Sequence, residues 1–430
     1  MYGRLPKELR EYDANGIELI ALIVKAIYGL PVAGQEWNRE INGYLTTPRA
    51  DGGMGFKRAP GDPCLYSWRD GDQWAIIGLS TDNAWHLESS DAVHDEVIRL
   101  LKAKYEWIDE GAISDLPAAL GTKTTQDLAA GTVTISLEGY IEALADKFSA
   151  HIGSKRVQTP ATQDLEKHVT EAILTKGDPR DADDIKWFQR LVGALLFASI
   201  VCRPDISWAT AMLSRAMCYP TAALKADAVR VLNYLYQHKS LCLTYSKNKF
   251  FSAFSGTVEE CDAVMGGLSG AESFTMEGFS DSDFAAGPSM SGWAWRKAGA
   301  VVSYGSKRQS GTMLDTASAE LYAGSVAATH GVYLRNIDAE VGWPPLGASR
   351  LYIDNQATVA LAHNPMSFQK VKHIARRHHY LRECVENNEL MVKHISTAYN
   401  IADIFTKALE PKKIKLFRAA LMNLSPETLE

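Results

Sequence analysis

LYIDNQATVALAH, residues 351–363, places a short apolar strand directly before a helix, with an acid at the junction. The strand spans residues 350–353 and ends at Asp354, and residues 356–363 carry helical spacing. Working outward, residues 278–283 begin a strand and residues 292–304 give hairpin-like strands. Residues 316–337 form a long helix, with Ala319, Tyr322, Ala323, Val326, His330, Tyr333, Leu334 and Ile337 on one stripe. Beyond the opening stretch, residues 374–387 and 400–409 read as helices, with a strand at 389–395 between them. Strands first, then strands interleaved with helices, predict a mixed α/β domain: a mixed sheet with helices packed on it.

Four acids fall at the ends or edges of these elements: Asp281 on the first strand, Glu320 beside the stripe, Asp354 and Asp403. Taken singly, each is an ordinary exposed acid. Brought together, carboxylates hold hard divalent cations such as Mg²⁺, which takes oxygen ligands and keeps several waters. Two such ions roughly 3.5–4 Å apart activate a water and stabilise a leaving oxygen in phosphodiester hydrolysis. Without metal the same acids repel one another and raise their own pKa values. Asp283 lies two residues from Asp281 on the strand, so both side chains point the same way.

The chain has 430 residues, 46% of them hydrophobic, which fits two or three domains with real cores. A net charge of −6, from 45 basic and 51 acidic residues, argues against a coat of positive charge for non-specific nucleic-acid binding. The six cysteines, Cys64, Cys202, Cys218, Cys242, Cys261 and Cys384, show no metal-binding spacing and read as reduced thiols. The longest apolar run, residues 191–202, is too short to span a bilayer and reads as a core helix. No secretory leader follows Met1, so an intracellular, cytoplasmic or nuclear protein without membrane contact is expected.

Before the last domain, residues 17–24 have the length of a buried strand, and residues 74–79 form another that runs into a turn at Ser80-Thr81-Asp82-Asn83. Residues 91–104 are an amphipathic helix, residues 132–137 a strand and 139–148 a helix. The polar stretch 161–184 reads as a linker, three helical stretches follow at 185–201, 204–217 and 221–238, and 246–276 is a second connector. The expected divisions are therefore 1–160, 161–275, 276–410 and a C-terminal tail, 411–430.

GFSDSDFAAG (278–287), TASAELYAG (316–324), LYIDNQATVALAHNP (351–365), VKHIARRHHYLRECVENNEL (371–390) and NIADIFTKAL (400–409) resemble the RNase H domain of copia-type LTR retrotransposon Pol polyproteins. In that family the acids at the positions of Asp281, Glu320, Asp354 and Asp403 are the catalytic metal ligands, and the pattern favours Asp281 over Asp283. The resemblance implies an RNase H-like five-stranded mixed sheet with flanking helices. It also implies two Mg²⁺ ions, or Mn²⁺, and an endonuclease acting on the RNA strand of RNA–DNA hybrids. AIYGLPVAGQEWNREI (26–41), Gly61-Asp62-Pro63-Cys64-Leu65-Tyr66, Arg203-Pro204-Asp205-Ile206 and Val231-Leu232-Asn233-Tyr234-Leu235 extend the similarity upstream. They imply a partial reverse-transcriptase palm and thumb at 1–160 and a helical connection after it.

The family's polymerase tetrapeptide Tyr-Val-Asp-Asp is Ser80-Thr81-Asp82-Asn83 here. The amide of Asn83 cannot supply a carboxylate's charge to a metal, and MYGRLP (1–6) looks like the stretch after the family's other metal-binding Asp. Reverse-transcriptase activity is therefore expected to be lost, with Asp82 and Asn83 marking a degenerate site. Lys370, Lys372, His373, Arg376 and Arg377 suit phosphate contacts to a hybrid, although Ala375 stands where the family has Asp. Lys407, Lys412, Lys413, Lys415 and Arg418 either extend that track or solubilise an end. A second reading keeps the fold and the basic track without useful catalysis: a nucleic-acid-binding relic, or a co-opted module of a copia-type element.

Overall fold

The computed structural model describes residues 2–4, 10–22, 32–81, 83–176, 182–246, 276–284, 289–313, 315–363 and 375–424. Two compact units divide the chain: Met1–Asp109 with Arg335–Pro344, and Glu110–Leu334 with Pro345–Glu430. The division falls at Asp109, well before the linker at 161–184.

In the first unit, β1 (Tyr2–Arg4) pairs antiparallel with β2 (Ile20–Leu22). Residues 17–24 were expected to be buried, yet Ile17 is 65% and Ile20 59% exposed. Among the described residues this ribbon has two short strands, and neither residue is covered by a second layer. After α1 (Ala33–Thr46), an antiparallel meander runs β3 (Lys57–Arg58), β4 (Leu65–Asp70), β5 (Gln73–Ser80) and β6 (Asn83–Glu88). Then α2 (Asp91–Lys104) starts at Ser90, whose Oγ accepts the Val93 N–H. The apolar stripe of α2, Val93, Val97 and Leu101, closes a core with Ile41, Leu45, Phe56, Tyr66 and Ile77.

The second unit opens with an antiparallel sheet of β7 (Lys123–Asp127), β8 (Thr132–Ser136) and β9 (Cys242–Ser246). Between β8 and β9 lie α3 (Glu138–Lys147), α4 (Leu165–Thr175), α5 (Ala182–Val201), α6 (Ser207–Ser214) and α7 (Ala222–Gln237). Helix α4 corrects the linker reading of 161–184. Leu165, Val169 and Ala172 keep helical spacing within a polar composition and are fully buried. Asp183 and Asp184, the described part of the acidic cluster, sit in the first turn of α5, where the helix dipole favours acids. Residues 247–275, nearly all of the second connector, lie outside the described residues.

The remaining strands are β10 (Glu277–Ser282), β11 (Met290–Lys297), β12 (Ala300–Arg308), β13 (Ser349–Ile353) and β14 (Leu390–His394), in the order β12-β11-β10-β13-β14. The pairs β10–β13 and β13–β14 are parallel, and the other two are antiparallel. Side-chain alternation splits the core. Phe279, Ala294 and Tyr352 face Ile401, Ala402, Phe405 and Phe417. Trp295, Leu351 and Ile353 face Leu321, Ala327 and Leu381. The helices here are α8 (Thr316–Glu340), α9 (Gln356–His363), α10 (Ala375–Glu386) and α11 (Pro411–Met422), with a 3₁₀ turn, Ile401–Phe405, where a longer helix was expected. Helix α8 seats through small residues, Ala319, Ala323, Gly324, Ala327, Ala328 and Gly331, whereas Tyr333 of the expected stripe is 45% exposed.

Residues 411–430 were expected to be a tail. Helix α11 instead buries Ile414, Phe417, Leu421 and Met422, and sends Arg418 into a buried polar network. There Arg203 donates Nε and a terminal nitrogen to the two Asp205 oxygens, at 2.9 and 2.8 Å. Its other nitrogen reaches the His238 carbonyl. Tyr234 donates to Asp205, and Arg418 donates to the Tyr234 hydroxyl, each at 2.9 Å. Burial alone would raise the Asp205 pKa, but Arg203 outweighs it and holds Asp205 below the ordinary range. Removing one partner strands a buried charge, so Asp205→Ala is expected to lower unfolding free energy by about 3–5 kcal/mol. Urea unfolding measures it, and a loss under about 1 kcal/mol, the size of a surface pair, would contradict it.

Candidate metal centre

Parallel pairing of β10 with β13 aligns Ser280 with Ile353, so Asp281 and Asp354 stand side by side at the ends of neighbouring strands. From the second turn of α8, Glu320 reaches over the end of β10, where its Oε1 accepts the Ser282 N–H at 3.1 Å. One oxygen from each of Asp281, Glu320 and Asp354 lies within 4.8 Å of the others. Asp281 is 2% and Glu320 4% exposed, whereas Asp354 is half-buried. Glu320 Oε2 is buried with no hydrogen-bond partner among the described residues. An orphaned carboxylate oxygen beside two more acids fits a hard divalent cation.

Asp403 comes from the other face, on the 3₁₀ turn. Asn400 fixes this turn: its amide donates to the Ser280 carbonyl at 3.0 Å, and its Oδ1 accepts the Ala402 N–H. Gly292 is the cross-strand partner of Asp281. A Cβ at Gly292 would stand 2.8 Å from both the Ala402 carbonyl and Phe405 Cβ, so glycine lets the turn approach. Asp403 is fully buried beside Asp281, but it is not one of the three clustered acids. Its carboxylate is held by two lysines. Lys407 Nζ lies 3.0 Å from Oδ1 and 3.8 Å from Asp281 Oδ2, and Lys413 donates to Oδ2. Thr406 donates its hydroxyl to Asp281.

Burial and then the neighbouring Asp403 raise the Asp281 pKa to about 7, against Lys407 and Thr406, which lower it. Glu320 is raised well above the ordinary range by burial, then by Asp281 and Asp354. Burial works against the Lys407 charge, yet Asp281 and Asp403 outweigh it and raise its pKa. The pocket is short of positive charge even with its lysines in place.

Asp283 turns aside and accepts the Met290 N–H, and burial raises its pKa to about 6. Asn83, exposed, opens β6, and Asp82 lies outside the described residues. Lys370, Lys372 and His373 also lie outside them, while Arg376 and Arg377 fall in the first turns of α10. Of the second basic group, Lys407 and Lys413 bind the acid pocket and Arg418 is buried, so these three form no solubilising end. The i, i+4 spacing of Asp403 and Lys407 was a readable signal. Nothing local in the sequence pointed to Lys413, Thr406 or Asn400 as parts of the site.

No protein-family model matches the chain. The retrovirus-related Pol polyprotein of transposon TNT 1-94 from Nicotiana tabacum is 24% identical over 430 residues, covering 97% of this chain and 29% of that polyprotein. The putative transposon Ty5-1 protein of Saccharomyces cerevisiae is 32% identical over 242 residues, covering 56% of this chain and 71% of that protein. The chain belongs to the Ty/copia-type retrotransposon Pol polyprotein family. It spans under a third of the TNT 1-94 polyprotein. Among solved structures, the N-terminal RNase H domain of a Mycobacterium tuberculosis protein, fused to maltose-binding protein, covers 33% of this chain and 94% of its own at 12% identity. Its TM-score of 0.24 is too low to carry a fold assignment.

Raised carboxyl pKa values have a definite sign in stability. Between the ordinary Asp value, 3.8, and about 7, the folded chain keeps a proton on Asp281 that the unfolded chain has released. Stability of the metal-free chain therefore falls as pH rises through that window. A cation bound to the folded state restores it. Thermal unfolding in chelator is expected to give a higher Tm at about pH 5 than at about pH 8, with Mg²⁺ raising it at the higher pH and Asp281→Asn flattening the slope. A Tm at high pH that is indifferent to Mg²⁺ would contradict this.

Proposed function

We propose that this chain carries a metal-dependent RNase H-type endonuclease that hydrolyses the RNA strand of RNA–DNA hybrids, in the cytoplasm or nucleus, on an RNase H-like five-stranded sheet. The observation that carries the reading is the Asp281–Glu320–Asp354 cluster, with its unpaired Glu320 oxygen, beside the buried Asp403. These four acids are the proposed ligands for two Mg²⁺ ions, with Mn²⁺ as a substitute. When bound, such ions activate a water and stabilise the leaving 3′ oxygen. Glu320 is oriented by the Ser282 N–H and Asp281 by the Thr406 hydroxyl. Half-buried Asp354 gives access from solvent. Lys407 and Lys413 offset the charge of Asp403 until a cation takes over that task. Lys370, Lys372, His373, Arg376 and Arg377 are the proposed phosphate contacts, giving affinity without sequence preference.

Within this reading residues 1–160 are the remnant of a polymerase palm and thumb that no longer extends primers. The support is Asn83, whose amide carries no negative charge for a metal. A second reading, hybrid binding without useful catalysis, draws on Asp403 being held by both lysines.

A labelled hybrid incubated with Mg²⁺ separates the two. Cleavage of the RNA strand is expected, reduced in Asp354→Asn by more than the roughly 10–100-fold that loss of a supporting partner costs. Primer extension on an RNA template is expected to be absent. Binding without cleavage favours the second reading, and equal cleavage by Asp354→Asn overturns the site assignment.

A further inference from the structure

A second cluster of metal-binding side chains lies in the first unit and owes nothing to the nuclease reading. His86 and Glu88 are two residues apart on β6, so they share one face of the strand. The chain turns at Ser89 and Ser90, and the first turn of α2 brings His94 over them. His86 Nδ1 meets Glu88 Oε1, and His94 Nδ1 lies 3.8 Å from Glu88 Oε2. The two imidazoles stack with centroids 5.2 Å apart. One ligand atom from each residue lies within 4.8 Å of the others, and all three residues are half-buried. Ligands around a tetrahedral zinc ion stand roughly 3.3 Å apart, so small side-chain rotations close this set.

Asp109 adds an independent observation. Its Oδ2 lies 3.2 Å from His94 Nε2, on the side of the ring away from Glu88. A carboxylate that accepts a hydrogen bond from the far N–H fixes the tautomer and leaves the near nitrogen's lone pair free for a metal. Two imidazoles and one carboxylate suit zinc-class ions and not Mg²⁺, which favours oxygen.

We propose that His86, Glu88 and His94 form a binding site for a divalent transition-metal ion of the zinc class, with Asp109 as the positioning residue for His94. Three protein ligands leave a fourth position open to water.

The test uses the full chain, stripped of metal and held in excess Mg²⁺ so that the carboxylate cluster on the second unit is occupied. Co²⁺ is titrated in and followed by visible absorption, then displaced with Zn²⁺. The expected result is one equivalent of a tetrahedral Co²⁺ spectrum, lost on Zn²⁺ addition. His94→Ala is expected to abolish it, and Asp109→Ala to weaken binding roughly 10–100-fold while keeping the spectrum. Circular dichroism checks folding. Should His94→Ala not fold, the near-isosteric Glu88→Gln replaces it, with weaker binding expected. An absent spectrum in the unmutated chain, or one undiminished in folded His94→Ala or Glu88→Gln, overturns the proposal and leaves a metal-free ion-pair network.

Discussion

Carboxylates gathered in a buried site repel one another, and the second unit is arranged around that repulsion. The parallel register of β10 with β13 forces Asp281 and Asp354 to the same sheet end. Helix α8 adds Glu320. Water cannot screen Asp281 or Glu320, each almost fully buried, so protons or cations must balance them. The upward shifts of Asp281 and Glu320 are the protons' share of that balance.

Lys407 and Lys413 are the cations' share. They come from the 3₁₀ turn region and from α11, which is held in place by its apolar face and by the Arg418–Tyr234–Asp205–Arg203 network. The helical segment 182–237 thus bears on the acid pocket through α11, because the helix that supplies Lys413 is anchored in that segment's core. Asp403 is the hinge of this balance. It lies close enough to Asp281 to raise its pKa, yet its own oxygens are committed to lysines.

Much of the second unit's secondary structure was legible because its periods are clean. The strands ending near Asp354 and Ile395 are short apolar runs, and residues 185–201 and 221–238 keep helical spacing. The mixed α/β class followed from their order. What failed has physical causes. Helix α4 hides Leu165, Val169 and Ala172 in polar sequence, and Ile17 and Ile20 belong to an apolar run yet stand exposed. The burial of Pro411–Met422 depended on the core that receives Phe417 and Leu421, which no local pattern announces. At the site, each acid taken singly read as an ordinary exposed acid, and only the resemblance of the flanking motifs grouped the four. Lys413 was not legible as a counter-ion, because it meets Asp403 through tertiary packing and not through spacing along one element. The histidine pair of the first unit was equally hidden, split between a strand and the following helix.

The central claim, that the acids at the end of β10 hold a divalent cation, is tested most directly by anomalous diffraction at the manganese edge from crystals grown in Mn²⁺. A peak bounded by the carboxylates of Asp281, Glu320 and Asp354 is the expected result. Ordered crystals with Lys407 still between Asp281 and Asp403 and no peak beside Glu320 would contradict it.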